Sequence, residues 1–178
     1  TDAAGNESAL PGVTALTVVA ALNSPPTVLT LPATVSTAGQ STTVSPIVTL
    51  VNDPGENLSG ATVTIALGGD AGDQLTFTGG YGITGSYANG VLTLTGNASA
   101  ADYQTVLQSV SFSTSANGLI GVRTIEFSVT DAAGNESALP GITALTVVAV
   151  LNAPPTILAT PVAAVTAGET TVVSPIVT

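Results

Sequence analysis

A long internal repeat constrains this chain more than any other feature of its sequence. The segment TDAAGNESALPGVTALTVVAALNSPPT at residues 1–27 returns as TDAAGNESALPGITALTVVAVLNAPPT at residues 130–156, so the period from position 1 to position 130 is 129 residues. The similarity continues through TAGQSTTVSPIVT and TAGETTVVSPIVT, up to residue 178. A fixed period predicts a tandem array of similar folding units, and we expect this chain to be a window of a much longer one.

Two proline-containing segments, LNSPP and LNAPP, mark the predicted unit boundaries. Adjacent prolines cannot continue a β-ladder and favour extended backbone before them, so each segment is expected to be a short, stiff linker. Residues 23–151 are predicted to form one complete unit. Residues 1–22 would then supply the C-terminal strand of a preceding unit, and residues 152–178 the N-terminal strands of a following one. Only the complete unit is long enough to bury its own core.

The charge composition excludes several classes of function. One basic residue, Arg123, stands against eleven acidic residues, and the formal net charge is -10. Histidine, cysteine and lysine are absent, so the usual general bases, thiolate nucleophiles and Schiff-base formers are missing and no enzyme is expected. Such a chain would repel nucleic acid. Its apolar runs are shorter than the roughly 20 residues of a membrane-spanning helix, so no membrane insertion of this segment is expected.

The local pattern is typical of an all-β protein. Short runs of Val, Ile, Thr and Leu alternate with Gly, Pro, Asn, Asp and Ser clusters, which favours an antiparallel Greek-key β-sandwich of the cadherin or immunoglobulin type. ATVTIAL at residues 61–67 and RTIEFSV at residues 123–129 show the two-residue period of half-buried strands. Asn89 and Gly90 between two further runs predict a tight hairpin.

One short helix is predicted in NASAADYQTVLQSV. Ser99 precedes Asp102 by three residues, as in a capping box, and the helix is expected to lie across one edge or end of the sandwich. Its apolar stripe comprises Tyr103, Val106, Leu107 and Val110.

Strand direction predicts that two acidic loops meet. If consecutive strands run antiparallel from the N-terminal pole, NDPGENLSG at residues 52–60 returns to that pole. The loop DAAGNESALPG precedes the last strand, residues 142–150, and must begin it at the same pole. Both loops would then converge with the LNSPP linker. GGDAGD at residues 68–73 is placed at the opposite pole, facing the next unit.

Carboxylates that gather without basic partners must bind a cation, take up protons or repel one another. Calcium is the predicted cofactor, because it accepts six to eight oxygen ligands in flexible geometry. The candidate ligands at the N-terminal pole are Asn23, Asp53, Glu56, Asn57, Asp131, Asn135 and Glu136. Asp70 and Asp73 are the candidates at the opposite pole. These loops do not match the EF-hand pattern.

An alternative interpretation needs no metal. Asp53 before a proline, and Asn57, are common turn residues. Asp131 and Asn135 could instead hold an Asx-type turn around Gly134.

Arg123 and the three tyrosines are expected to have packing roles. Arg123 is in phase with inward-facing strand residues, so its stem would pack inward while its guanidinium pairs with a carboxylate or with backbone carbonyls. A sugar-stacking surface of Tyr81, Tyr87 and Tyr103 is conceivable, but packing in the core or at an edge is favoured.

The sequence stretches LSGATVTI, GDQLTF, GVLTLTGNASAADYQTVLQSVSFST, RTIEFSVTDAAGNES and LNAPPT together resemble the cadherin-like and bacterial immunoglobulin-like tandem repeats of giant bacterial surface adhesins, including the repeats-in-toxin secretion class. The resemblance covers the whole unit. It implies a secreted, extracellular protein on the bacterial cell surface, whose repeats form a calcium-stiffened stalk. Related linkers often read Asn-Asp-Ala-Pro, and the missing aspartate here counts against a calcium site centred on the linker.

Two functions from different classes follow. The first is a structural extender repeat of a surface adhesin or extracellular filament that supports cell adhesion or biofilm formation, with neighbouring repeats, and like chains in a filament or matrix, as partners. The alternative is a module that binds carbohydrate or protein at the cell surface. Side-by-side assembly through apolar strands such as TALTVVA would require such a strand to be exposed.

Overall fold

The alternating runs form eleven strands and one helix. The computed structural model describes residues 3–5 and 22–150, so most of the two predicted flanking fragments lies outside it and the domain boundaries remain predictions. No helix of this described part is long and apolar enough to cross a membrane. In chain order the elements are β1 (Thr27–Thr30), β2 (Ala33–Thr37), β3 (Ser41–Thr43), β4 (Val48–Val51), β5 (Asn57–Leu67), β6 (Gln74–Thr76), β7 (Thr84–Ala88), β8 (Val91–Ser99), α1 (Ala100–Gln108), β9 (Ser111–Ser113), β10 (Gly121–Asp131) and β11 (Gly141–Val148).

The strands form one large sheet and two small ones around a common core. The large sheet has the order β2-β11-β10-β5-β8-β7, and the small sheets are β3-β9-β6 and β1-β4. Phe127 and Leu145 of the large sheet and Phe112 of a small sheet are fully buried in one apolar cluster. The predicted fold class is confirmed, since the molecule is an all-β sandwich of the immunoglobulin-like kind with one short helix.

One strand pair departs from the expected antiparallel arrangement. Strand β2 pairs in parallel with β11, whereas β1 pairs antiparallel with β4. Between them, Pro32 interrupts the strand and the chain passes from the small sheet to the large one. The backbone N–H of Ala144 donates to the Pro32 carbonyl and the Thr143 hydroxyl donates to the Leu31 carbonyl, which fixes this crossing to β11. One strand thereby serves both layers of the sandwich.

Strand β11, which contains TALTVV, lies inside the large sheet between β2 and β10. Its hydrogen-bonding edges are therefore used within the unit. This copy of the strand is not available for pairing with another chain.

The helix covers the free edge of β4. Ser99 caps it, since its hydroxyl accepts from the Asp102 backbone N–H at 3.2 Å while the Asp102 carboxylate accepts from the Ser99 N–H, as predicted. The Leu50 N–H donates to Gln104 Oε1 at 3.1 Å, and Gln108 Nε2 donates to the Val48 carbonyl at 3.0 Å. Two glutamine side chains thus satisfy backbone groups that would otherwise form an open sheet edge.

The hairpin between β7 and β8 has the predicted turn. Asn89 and Gly90 have φ angles of 51° and 82°, which is the positive-φ pair of a type I′ turn. Asparagine and glycine tolerate this conformation better than other residues do, so the sequence and the turn agree.

Candidate functional site

The linker and both acidic loops meet at the N-terminal pole, as strand direction predicts. The backbone N–H of Ser24 in the linker donates to Asp53 Oδ2 at 2.7 Å. The side chain of Asn23 lies close enough to the Asp131 carboxylate to lower its pKa. The Ala132 N–H donates to the Asn57 carbonyl at 2.9 Å, which joins the two loops directly. Any group bound here would therefore contact the linker as well as the sandwich.

The loop of residues 52–56 holds two oxygen atoms that lack a donor. A tight turn forms because the Glu56 N–H donates to the Asp53 carbonyl at 3.1 Å and Gly55 adopts a φ of 80°. The Asn52 amide donates to the Glu56 carbonyl at 3.2 Å. Within the described residues, Asn52 Oδ1 and Glu56 Oε2 are buried and have no hydrogen-bond partner. Buried acceptors without a donor are uncommon and point to a missing partner such as a cation.

The electrostatics of this loop agree with that interpretation. Desolvation raises the pKa of the Glu56 carboxyl above its ordinary value, and the nearby carboxylates of Asp131 and Asp53 raise it further. The single basic side chain of the protein, Arg123, pairs elsewhere. The N-terminal pole therefore carries negative charge without a protein cation to balance it.

Asp131 holds the turn foreseen in the metal-free alternative. Its Oδ1 accepts from the Asn135 N–H and its Oδ2 from the Asn135 amide, both at 2.8 Å, while the Gly134 N–H donates to the Asp131 carbonyl at 3.2 Å. Burial acts to raise the pKa of Asp131, but hydrogen bonds from Asn135, Ala133 and Asn23 outweigh it and hold this pKa below its ordinary value. Both carboxylate oxygens are thus already satisfied.

Two other predicted ligands face away from the convergence. The Asn57 amide donates to Asn97 Oδ1 at 2.8 Å, across strands β5 and β8. Glu136 is exposed to solvent. Within residues 3–5 and 22–150, no three acidic side chains come together as a group that could hold a metal. A cation at this pole would depend on amide and backbone oxygens as well as carboxylates, and Asn52 is the residue that the sequence interpretation missed.

The acids of the opposite pole have a protein partner instead. Arg123 is only 2% exposed, and its Nε lies 2.8 Å from Oδ2 of the equally buried Asp73. The guanidinium also donates to the Leu119 carbonyl at 2.8 Å, so the predicted structural role of Arg123 is confirmed. Asp70 Oδ1 accepts from the Ala71 N–H and its Oδ2 from the Leu119 N–H. These contacts favour structural roles over calcium binding here, because Asp73 balances a buried cation and Asp70 tethers two loops; calcium ligation by these two residues stays a prediction.

Two tyrosines pack as predicted and one does not. Tyr103 is fully buried and its hydroxyl donates to the Gly96 carbonyl at 2.6 Å. Tyr87 is partly buried and its hydroxyl donates to the Asp73 carbonyl at 2.9 Å. Tyr81 is 60% exposed, so the expectation of a packing role was wrong for this residue.

Comparison with known proteins finds similarity in structure but none in sequence family. No family model and no curated protein matches this sequence. Among solved structures, the GspB Siglec domain matches with a TM-score of 0.45 and 18% sequence identity, over 76% of this chain. The chain spans 63% of the length of that domain. What this molecule shares with the GspB Siglec domain is a β-rich fold.

Proposed function

We propose that residues 23–151 are a structural extender repeat of an extracellular bacterial surface adhesin or filament, and that calcium bound at the N-terminal pole stiffens the junction with the preceding repeat. The observation that carries this proposal is the loop of residues 52–56, which combines two buried oxygen atoms without donors with a direct hydrogen bond to the linker. The tandem period of the sequence supports an array, and the resemblance to adhesin repeats supports the extracellular surface as its location.

The ligands proposed for the cation come mainly from one loop. Asn52 Oδ1, Glu56 Oε2 and the Asp53 carboxylate supply the hard oxygen donors that calcium prefers. Asp131 contributes through its charge, which already raises the pKa of Glu56. Amide, backbone and water oxygens would complete the coordination.

The mechanical consequence follows from the linker contact. Without a cation, the carboxylates of Asp53, Glu56 and Asp131 repel one another and loosen the loops that hold residues 23–24. With a cation bound, the same loops and the linker form one joint, and bending between repeats is reduced. Since calcium would bind only the folded pole, it also stabilises the unit by mass action, by about 2.7 kcal/mol when free calcium is about 100 times its Kd.

Thermal unfolding tests the proposal. The 178-residue chain is melted in millimolar calcium and in chelator, and a two-repeat protein joined by the native linker is measured by small-angle scattering in the same solutions. We expect calcium to raise the melting temperature and to give a longer, stiffer particle. The variant Glu56→Gln should lose most of both effects.

A matched acidic control is Glu126→Gln, since Glu126 lies in the middle of β10 away from the pole. It should keep the full response to calcium. An identical melting temperature and identical particle dimensions with and without calcium would refute the metal-stiffened junction.

A further inference from the structure

The molecule contains two tight turns of the same kind with different residues at the first central position. In one, Asn89 and Gly90 connect β7 to β8 with positive φ angles. In the other, Tyr81 and Gly82 have φ angles of 57° and 76°, and the Ile83 N–H closes the turn on the Gly80 carbonyl at 2.8 Å. Both are type I′ turns in φ and hydrogen bonding. The first has the residue that the turn favours, whereas the second has a bulky aromatic residue.

A tyrosine at this position costs folding free energy. A bulky side chain on a backbone with positive φ is strained, and Asn or Gly avoids most of that cost. Packing does not compensate, because Tyr81 is 60% exposed and its hydroxyl makes no hydrogen bond to any described residue. Strain kept at an exposed residue is characteristic of functional sites.

The ring of Tyr81 borders a cleft of about 510 Å³ against helix α1. Thr78, Thr105 and Ser109 contribute hydroxyl groups, whereas the lining residue Val106 is only 1% exposed. The Thr78 N–H donates to Ser109 Oγ at 2.9 Å, which fixes the glycine-rich segment to the helix. The Thr105 hydroxyl donates to the Ala101 carbonyl and keeps its own oxygen exposed as an acceptor. The cleft therefore combines an exposed aromatic ring with neutral hydrogen-bonding groups.

We propose that this cleft binds a neutral saccharide, with Tyr81 as the stacking platform. A sugar ring presents an apolar C–H face to an aromatic ring and hydroxyl groups to polar side chains, which matches this combination. Among the described residues that line the cleft, none is charged. The single basic side chain, Arg123, is buried in its ion pair and the chain carries a net charge of -10, so anionic sugars are disfavoured. Such binding would let a repeat of the stalk contact glycans along its length, a function beyond stiffening.

Nuclear magnetic resonance on the 178-residue chain tests the site, because its aromatic rings are only three tyrosines and three phenylalanines. The probes are short neutral oligosaccharides of glucose, galactose or mannose, with sialylated and sulfated oligosaccharides as anionic comparators. Measurements are made in chelator, so the result is independent of the proposed calcium junction. We expect at least one neutral oligosaccharide to shift the Tyr81 ring resonances saturably. The proposal is overturned if none does, or if only anionic probes bind.

The variant Tyr81→Asn separates a binding role from a structural one. It introduces the residue of the other turn, so relief of backbone strain should raise the melting temperature. Because the stacking ring is removed, affinity for the saccharide should fall by about tenfold or more. Tyr81→Phe keeps the ring and should bind within a few-fold of the wild type. Unchanged affinity of Tyr81→Asn, or a lowered melting temperature, would show that Tyr81 serves the fold instead.

Discussion

The two poles of the sandwich both carry clustered carboxylates, but only one of them contains a protein cation. At the pole opposite the linker, called here the C-terminal pole, Asp73 pairs with Arg123 in a buried ion pair and Asp70 accepts two backbone hydrogen bonds. At the N-terminal pole, Glu56 has a raised pKa and a buried oxygen without a donor. The acids of the opposite pole have protein partners, whereas Glu56 at the N-terminal pole has an oxygen without one.

This difference shows that an acidic composition does not locate a metal site by itself. With one arginine in the chain, its position decides which carboxylates are balanced internally. Carboxylates that pair with the arginine contribute to the fold. Carboxylates that cannot pair with it must bind an external cation, become protonated or lie far apart. The comparison can be tested by removing charges at each pole separately.

The largest effect is expected at the C-terminal pole. Asp73→Ala leaves the Arg123 guanidinium buried without its counter-charge, and breaking a buried pair from one side costs about 3–5 kcal/mol. Urea unfolding at neutral pH measures this as a lower midpoint with an unchanged slope. Calcium should not restore the lost stability, because the proposed calcium site is at the other pole.

The double variant Asp73→Leu with Arg123→Met is the control for this experiment. It replaces both charges by apolar groups and should recover most of the stability, since no buried charge is left unpaired. If Asp73→Ala lowers the free energy of unfolding by less than about 1 kcal/mol, the pair contributes no more than an exposed ion pair does, which would contradict its structural role.

A smaller effect, dependent on pH, is expected for Asp131→Asn. The folded pKa of Asp131 lies below its ordinary value of 3.8, so its contribution to stability is complete above that value and is lost as pH falls through the folded pKa. The amide variant should be less stable than the wild type at neutral pH. The two unfolding midpoints, measured in chelator, should converge in acid. A constant difference between them down to about pH 2 would contradict the lowered pKa.

Much of the fold could be predicted because its signals are local. Ser99 and Asp102 form the capping box that their spacing indicates, and Asn89 with Gly90 forms the expected turn. The convergence of the linker with two loops could be predicted as well, since it requires only the direction of each strand.

The remaining features depend on contacts that no local pattern contains. Asp73 and Arg123 are 50 positions apart, so their pairing follows from the tertiary structure and not from a local pattern. Asn52 is marked by a buried side-chain oxygen without a hydrogen-bond partner, which the sequence does not show. Tyr81 is a bulky residue that opposes the turn it occupies, and only the backbone conformation reveals this conflict.

The smallest effect is expected for Glu56→Gln at the N-terminal pole, measured without calcium. The folded pKa of Glu56 is raised above 4.5, so ionising it opposes folding as pH rises above that value, and the penalty is complete above the folded pKa. Replacing the carboxylate by an amide removes this penalty and should raise the melting temperature in chelator at neutral pH. Below about pH 4 the variant and the wild type should unfold together, since Glu56 is then protonated in both states. In calcium the order should reverse, because the wild type gains a ligand that the variant lacks. A lower melting temperature of Glu56→Gln in chelator would mean that the ionised carboxylate already has a favourable partner. The statement that only the opposite pole balances its carboxylates within the protein would then be wrong.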